Sequence, residues 1–183
     1  MANKLILILS AASLLLVSLE LAGVAATTTH LRFYMHDIVT ALPPLYPVAT
    51  AVPTVKGVTL LPNDPINRFG DTYVIDDSLT EGPEADSRLV GRAQGYYMFA
   101  SQTDPSLLLS ANMVFTAAAG KQYNGSSVAV LARDAILDAV RELPVVGGTG
   151  VFRGARGYGL LRTHSFNLSS NNAVLQIDVY VQV

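Results

Sequence analysis

The chain has 183 residues, half of them hydrophobic, and it contains neither cysteine nor tryptophan. Its 12 Lys and Arg residues are outnumbered by 14 Asp and Glu residues, which gives a formal net charge of −2. This balance argues against a protein that holds nucleic acid by electrostatic attraction. The absence of cysteine excludes a fold stapled by disulfides.

The amino-terminal residues have the pattern of a secretory signal peptide. Lys4 supplies a positive charge, residues 5–17 form an apolar run, and small residues follow. Cleavage is predicted after Ala25 or Ala26, which leaves residues 27–183 as one domain large enough to bury its own core. The alternative is an uncleaved membrane anchor, but the apolar run is shorter than the roughly 20 residues of a spanning helix. Two glycosylation sequons, at Asn124 and Asn167, fit the secretory route.

Beyond the signal peptide, apolar and polar residues alternate with the period of two that is typical of β-strands. The first strand, LRFYMHDIV, places Phe33, Met35 and Asp37 on one face. The further predicted strands are DTYVIDD, GYYMFAS, LLLSANMVFTA, SSVAVLARD and VLQIDVYVQV. Turn-forming residues separate them, and DDSLTEGPEADSR is the longest predicted loop.

One segment, ARDAILDAVREL (132–143), has apolar residues near helical spacing and is followed by Pro144. We expect at most a turn or two of helix there. Several strands joined by short turns, without a regular alternation of helices, predict an all-β domain, either an antiparallel barrel or a sandwich.

The stretch VVGGTGVFRGARGYG (145–159) contains six glycines and raises the question of a phosphate-binding loop. The spacing of Gly148, Gly150 and Gly154 is one residue too long for a dinucleotide loop, and no Lys–Ser/Thr pair follows. We therefore predict a turn with positive φ at Gly147, Gly148 or Gly150. The later glycines are expected to ease the curvature of a following strand and to leave room inside a barrel.

These glycines, read with three other segments, resemble the plant dirigent family. The matching segments are FYMHDI (33–38), DDSLTEGPEADSRLVGRAQGYY (76–97), NMVFT (112–116) and VRELPVVGGTGVFRGARGY (140–158), with a weaker match at VYV (179–181). The resemblance covers essentially all of residues 27–183. It implies an eight-stranded antiparallel β-barrel of the dirigent and allene-oxide-cyclase-like kind, generally a homotrimer, secreted to the apoplast.

The resemblance also implies a function in lignan biosynthesis. Members of the family impart stereoselectivity on the coupling of phenoxy radicals from monolignols such as coniferyl alcohol, and a separate laccase or peroxidase makes the radicals. Some relatives instead act as dehydratases or cyclases through a quinone methide. A third alternative is a cell-wall protein that organises lignin or serves in defence. The resemblance implies no cofactor and no metal for any of these activities.

The chemistry needs an apolar cavity for flat phenols and a carboxyl group whose pKa is raised. Asp37 is the predicted catalytic acid, because a carboxylate that shares a strand face with Phe33 and Met35 is costly unless it is used or paired. Phe33 and Met35 are expected to contact the substrate. One alternative for Asp37 is a structural carboxylate satisfied by a partner. The other is that this strand face points outward and its apolar residues pack a trimer.

Other candidates come from the later segments. Tyr97 and Phe99 are predicted to bind the substrate ring, although Tyr97 also fits a plain core residue. Arg153 and Arg156 lie on opposite faces of a regular strand, so one of them is expected to point inside. The resemblance implies that it is Arg156, as the catalytic partner of a phenolate or carboxylate. A structural salt bridge is the alternative for Arg156.

The sequence departs from the family at Val151, where lignan-forming relatives commonly carry an acidic residue that would be a second inward acid. This departure weakens the assignment of pinoresinol formation. Asp178 is a candidate replacement and a candidate substrate contact. Asp76 and Asp77 are interpreted as turn formers at the start of the acidic loop. His36, on the strand face opposite Asp37, is interpreted as a packing or surface residue.

Overall fold

The computed structural model describes residues 27–62, 64 and 67–183, and the predicted signal peptide lies outside the described residues. The strands are β1 (Thr28–Asp37), β2 (Ala51–Val55), β3 (Thr59–Leu60), β4 (Arg68–Phe69), β5 (Thr72–Thr80), β6 (Leu89–Phe99), β7 (Ser106–Phe115), β8 (Ser127–Ala135), β9 (Arg141–Thr149), β10 (Arg156–Asn167) and β11 (Asn172–Gln182). Short 3-10 helices span Ala117–Ala119, Lys121–Tyr123 and Gly150–Phe152. Within these described ranges, no helix is both long and apolar enough to cross a membrane.

Eight of the strands close into an antiparallel barrel, as the sequence predicted. The order around the barrel is β1, β11, β10, β9, β8, β7, β6 and β5, and pairing between β5 and β1 closes the ring. Closure pairs both edges of the sheet, so the barrel itself has no open edge. β2 pairs with β5 beyond the point where β1 ends, and β3 and β4 form a separate two-stranded ribbon.

One local prediction is wrong: β5 continues to Thr80, so Asp76 and Asp77 lie within a strand and are not turn formers. Residues 132–143, where at most a turn or two of helix was expected, contain the end of β8, a turn at residues 136–140 and the start of β9. Pro144 lies in β9 one residue beyond the last pair of the β8–β9 register, Val130 with Val145, and its strand partner is Tyr158 of β10.

Aromatic side chains fill one half of the barrel. The ring of Phe115 contacts those of Phe33 and Phe152 edge to face, with centroids 5.8 Å apart in both pairs. Tyr123 stacks on Phe152 at 5.3 Å. Phe33, Phe115 and Phe152 are at most 2% exposed. This aromatic plug closes one end of the barrel, and burying each ring contributes roughly 2 to 3 kcal/mol to stability.

The glycine stretch turns the chain from β9 into β10 over the closed end. Of the three glycines predicted to have positive φ, Gly150 has it (φ 62°), whereas Gly147 and Gly148 belong to β9. Gly157, with φ 149°, lies so close to β11 that a Cβ atom would stand 2.0 Å from the carbonyl oxygen of Tyr180. A side chain at position 157 therefore forces β10 away from β11.

We predict that Gly157→Ala lowers the free energy of unfolding by about 2 to 3 kcal/mol, because the added methyl group collides with backbone and not with a movable side chain. Gly147→Ala is the matched control, since a Cβ there meets nothing within 4 Å. Its effect should stay within about 0.5 kcal/mol. Urea unfolding of the two variants measures the difference, and equal stabilities would contradict the predicted clash.

Candidate active site

The end of the barrel opposite the aromatic plug holds a cavity of about 450 Å³. Its apolar wall consists of Met35, Val39, Phe99, Leu107, Leu109, Ile136, Leu137, Ala139, Phe166, Ala173 and Leu175. Its polar residues are Asn67, Asp37, Tyr73, Tyr97, Asp134, Asp138, Arg141, Thr163 and Asn171. A mostly apolar cavity of this volume with a few polar side chains is typical of a site for a small organic molecule.

Asp37 lies at the carboxyl end of β1, where the alternation that buries Phe33 and Met35 also turns this carboxyl inward. Burial raises the pKa of Asp37 to about 7; a hydrogen bond with Tyr97 opposes the rise, and the charge of Asp134 adds to it. The Oδ1 atom of Asp37 is buried, and no group in the described part of the chain hydrogen-bonds to it. A carboxyl in this state carries a proton at slightly acidic pH and can give it to a bound molecule.

Two tyrosines form an aromatic wall beside this carboxyl. Tyr73 of β5 and Tyr97 of β6 are direct cross-strand neighbours, and their rings stack with centroids 5.0 Å apart. Burial, followed by the charges of Asp37 and Asp77, raises the pKa of Tyr97 well above its usual value. The Tyr97 hydroxyl therefore stays protonated and available as a hydrogen-bond donor.

Across the cavity, Asp134 and Arg141 form a buried ion pair at the end of β8 and the start of β9. Arg141 Nε lies 3.0 Å from Asp134 Oδ1, and both side chains are at most 6% exposed. Arg141 Nη1 also donates to the carbonyl of Ile136 and to the hydroxyl of Thr163, each at 2.9 Å. Burial raises the pKa of Asp134, although Arg141 opposes the rise. Among the described residues, Arg141 is the only Lys or Arg in the cavity wall.

Asp134 and Arg141 are site residues that were not predicted from the sequence. One sequence feature could have revealed Asp134: it continues the alternation of Val130 and Ala132, which are buried on the inner face of β8. Arg141 likewise alternates with the buried Leu143 of β9. The helical spacing in residues 132–143 obscured both patterns.

The structure brings four of the predicted site residues together in the cavity wall: Asp37, Met35, Tyr97 and Phe99. Phe33 lies deeper, in the aromatic plug, and does not line the cavity. The roles assigned to these residues in catalysis and binding stay predictions.

Arg156 was expected to point inside the barrel, and the structure corrects that placement. The 3-10 helix Gly150–Phe152 and the positive φ of Gly154 precede β10, so the strand begins with Arg156 exposed. The inward positions of β10 are taken by Gly159 and Leu161, which are buried. Arg156 does not line the cavity.

Asp178 and Val151 also lie away from the cavity. Asp178 sits on the outer face of β11, where its Oδ1 accepts from Arg32 at 2.6 Å and lies 2.8 Å from His30 Nε2. Burial alone would raise the pKa of Asp178, but hydrogen bonds from Arg32, Gln176 and His30 lower it. Val151 is 45% exposed beside the aromatic plug, so an acid at that position would not reach the cavity. The presence of Val151 in place of the acidic residue of lignan-forming relatives therefore does not remove an acid from the cavity.

The two sequon asparagines, Asn124 and Asn167, are exposed at the surface. Oδ1 of Asn167 accepts from the backbone N–H and the hydroxyl of Ser169, at 3.0 and 2.7 Å. Glycosylation of both remains a prediction.

We predict that Arg141→Met lowers the free energy of unfolding by about 3 to 5 kcal/mol, because it leaves the Asp134 carboxylate buried without its partner. Asp134→Asn in the same chain should recover most of the loss, which a double-mutant cycle measures. Arg133→Met is the matched control: Arg133 pairs with Asp104 on the exposed surface, and its removal should change little. An additive cycle would contradict the coupling of Asp134 and Arg141.

Comparison with known proteins places this chain in a protein family. A family model described as Dirigent-like protein matches residues 28–182. Dirigent protein 21 of Arabidopsis thaliana is 46% identical over 153 residues, which cover 84% of this chain and 76% of that protein. Pterocarpan synthase 1 of Glycyrrhiza echinata is 42% identical over 154 residues, which cover 84% of this chain and 77% of that protein.

Solved structures show the same similarity. The structure of the pterocarpan synthase dirigent protein PsPTS1 superimposes with a TM-score of 0.74 at 37% identity, covering 85% of this chain and 95% of that one. The family match spans the entire barrel and the cavity wall described above. The chain therefore belongs to the dirigent-like protein family.

Proposed function

We propose that this protein sets the stereochemistry of a phenolic product by binding a quinone methide, or the phenol that becomes one, in the barrel cavity. Asp37 supplies a proton to the bound molecule. The observation that carries this proposal is the protonatable Asp37 carboxyl, with its unpartnered Oδ1, in a largely apolar cavity. Stacked Tyr73 and Tyr97 offer a flat surface against which an aromatic ring can pack.

The first candidate reaction is the stereoselective coupling of monolignol radicals of the coniferyl alcohol type. A separate laccase or peroxidase removes one electron and one proton from each phenol, and two radicals then form a carbon–carbon bond. The resulting bis-quinone methide closes its rings when a side-chain hydroxyl attacks each methide carbon. The quinone oxygen gains a proton from Asp37, and the attacking hydroxyl loses one, which restores the Asp37 carboxyl.

The second candidate is a dehydratase or cyclase that acts on one phenolic alcohol without an oxidant. Asp37 would protonate the departing hydroxyl, water would leave, and the phenol proton would return to the Asp37 carboxylate, which completes a neutral quinone methide. A second hydroxyl of the same molecule would then form a bond to the methide carbon and lose its proton, while the quinone oxygen gains a proton from Asp37, so that Asp37 ends protonated. The specific support is the similarity, across the whole barrel, to proteins named pterocarpan synthase.

The remaining roles follow from the secretory signal and the family. We propose that the signal peptide is removed and that the mature chain acts in the apoplast as a glycosylated homotrimer. The partners in radical coupling are the phenolic radical and the separate oxidase. A lignin-organising or defence role in the wall would use the same phenol-binding cavity.

To separate the two reactions, coniferyl alcohol is incubated with a laccase, and a phenolic benzylic alcohol is incubated without any oxidant. Chiral chromatography measures enantiomeric excess in the first mixture and product formation in the second. We predict that Asp37→Asn abolishes the selective reaction, because an amide cannot donate the acidic proton. Asp86→Asn, at an exposed residue outside the cavity wall, is the control that should keep it. Racemic coupling and no turnover with the wild-type protein would overturn the proposal.

The pH dependence gives a further prediction. The acid form of Asp37 is the active form, and its raised pKa of about 7 means that this form is present at lower pH and is lost as pH rises through about 7. Enantiomeric excess should therefore fall across that range. Measuring selectivity instead of rate avoids the pH dependence of the oxidase. A selectivity that rises with pH would show that the carboxylate, and not the acid, is required.

A further inference from the structure

Asp77 is a second carboxyl inside the barrel, directly behind the cavity wall. Asp77 is fully buried on the inner face of β5 and does not line the cavity. The β1–β5 register pairs Met35 with Leu79, and both side chains are buried in the core. Extending that register by two residues places Asp37 opposite Asp77. Opposite residues on one face of a sheet are near neighbours, so Asp77 belongs to the surroundings of Asp37.

Thr50, just before β2, connects Asp77 to the backbone around Asp37. Its Oγ1 atom accepts from the backbone N–H of Ile38 at 3.1 Å and lies 3.1 Å from the carbonyl oxygen of His36. The same Oγ1 atom lies 2.6 Å from Oδ1 of Asp77. The hydroxyl of Thr50 therefore contacts the peptide groups on both sides of Asp37 and the buried carboxyl of Asp77.

The number of protons in this cluster determines the state of Asp77. A hydroxyl has one proton and can accept two hydrogen bonds. A carbonyl and an ionised carboxylate both lack a proton, so the single proton of Thr50 can serve only one of its contacts with His36 and Asp77 while Asp77 is ionised. Both contacts are hydrogen bonds at the same time only if a protonated Asp77 donates to Thr50 and Thr50 donates to His36. All three contacts of Thr50 are satisfied when Asp77 is protonated.

We propose that Asp77 is a permanently protonated positioning residue, which holds Asp37 in place through Thr50 and leaves Asp37 as the carboxyl that exchanges the proton. The proposal rests on the proposed function for the role of Asp37. An uncharged Asp77 makes it easier for Asp37 to become a carboxylate after it has given up its proton, because the opposite position on β5 then adds no negative charge.

Burial supports the neutral state of Asp77. Its Oδ2 atom is buried and has no hydrogen-bond partner among the residues that the structure describes, which an ionised carboxylate would tolerate poorly. Burial first, and then the charge of Asp37, raises the pKa of Asp77 well above its usual range, although the hydrogen bond with Thr50 opposes the rise. The other groups that act electrostatically on the two carboxyls are Asp76, Arg92, Tyr73, Tyr97 and Asp134. Arg92 and Asp76 act on Asp77 in opposite directions.

The test is an NMR titration of the full chain with ¹³C-labelled aspartate side chains. In the wild-type protein, one carboxyl resonance should keep the shift of a protonated acid through the neutral range and vanish in Asp77→Asn. The midpoint for Asp37 should not move in Asp77→Asn, since one neutral group replaces another. Asp76→Asn, which alters the outward-facing neighbour paired with Arg92, is the control and should keep the protonated resonance.

Thr50 variants test the positioning. Thr50→Val removes the bridge, so stereoselective turnover should fall about ten- to a hundredfold, with the KM little changed. The Asp37 midpoint should also shift. Thr50→Ser keeps the hydroxyl and should restore both readouts. An Asp77 resonance that titrates in the acidic range, an Asp37 midpoint that falls by about one unit in Asp77→Asn, or a Thr50→Val protein that matches the wild type would each overturn the proposal.

The titration needs no substrate, so it separates the two proposals. If the resonances behave as expected while no phenolic substrate is converted selectively, the proposed function fails and the protonated state of Asp77 stands. If selective turnover is found and Asp77 titrates as an ordinary carboxyl, the proposed function stands and the positioning role fails.

Discussion

The desolvation of Asp37 is the constraint on which the site depends. A carboxyl turned inward by strand alternation, next to Phe33 and Met35, loses the water that would stabilise its charge. It responds by holding its proton up to a pH of about 7. Asp178, on the outer face of β11, is also buried, but hydrogen bonds from Arg32, Gln176 and His30 lower its pKa. The partners of a buried aspartate therefore decide whether it serves as an acid or as an ion-pair partner.

The barrel has one half filled by side chains and one half that holds a cavity, so the desolvated carboxyl of Asp37 can meet a bound molecule. An eight-stranded barrel is just wide enough to be filled by its own side chains. Phe115, packed against Phe33 and Phe152, fills one half, whereas Met35, Leu109 and Leu175 line a cavity in the other. The packed half supplies stability, so the open half can keep an unfilled volume and an unpartnered carboxyl oxygen without unfolding the domain.

Much of this arrangement could be predicted from the sequence. Strict alternation identified most of the strands, and it identified Asp37 because its neighbours at 33 and 35 are strongly apolar. The site residues that were missed, Asp134 and Arg141, lie where period two and helical spacing coincide. The misplacement of Arg156 has a different cause: a 3-10 helix and two glycines with positive φ reset which side of β10 faces inward. Counting alternation across such a turn fails, because the period starts again at the new strand.

Three carboxyls, Asp37, Asp77 and Asp134, share one barrel interior that offers a single cation in its cavity wall among the described residues, Arg141. Because a buried charge without a partner is costly, this favours a resting state in which one of the three is ionised. The ion pair assigns that charge to Asp134, and complete burial with an unpartnered Oδ2 atom favours a neutral Asp77. Asp37 is the remaining carboxyl: no described cation pairs with it, its Oδ1 atom has no hydrogen-bond partner among the described residues, and its side chain lines the cavity. The distribution of partners among the three aspartates, and not the chemistry of any one of them, selects the residue that can exchange a proton with a bound phenol.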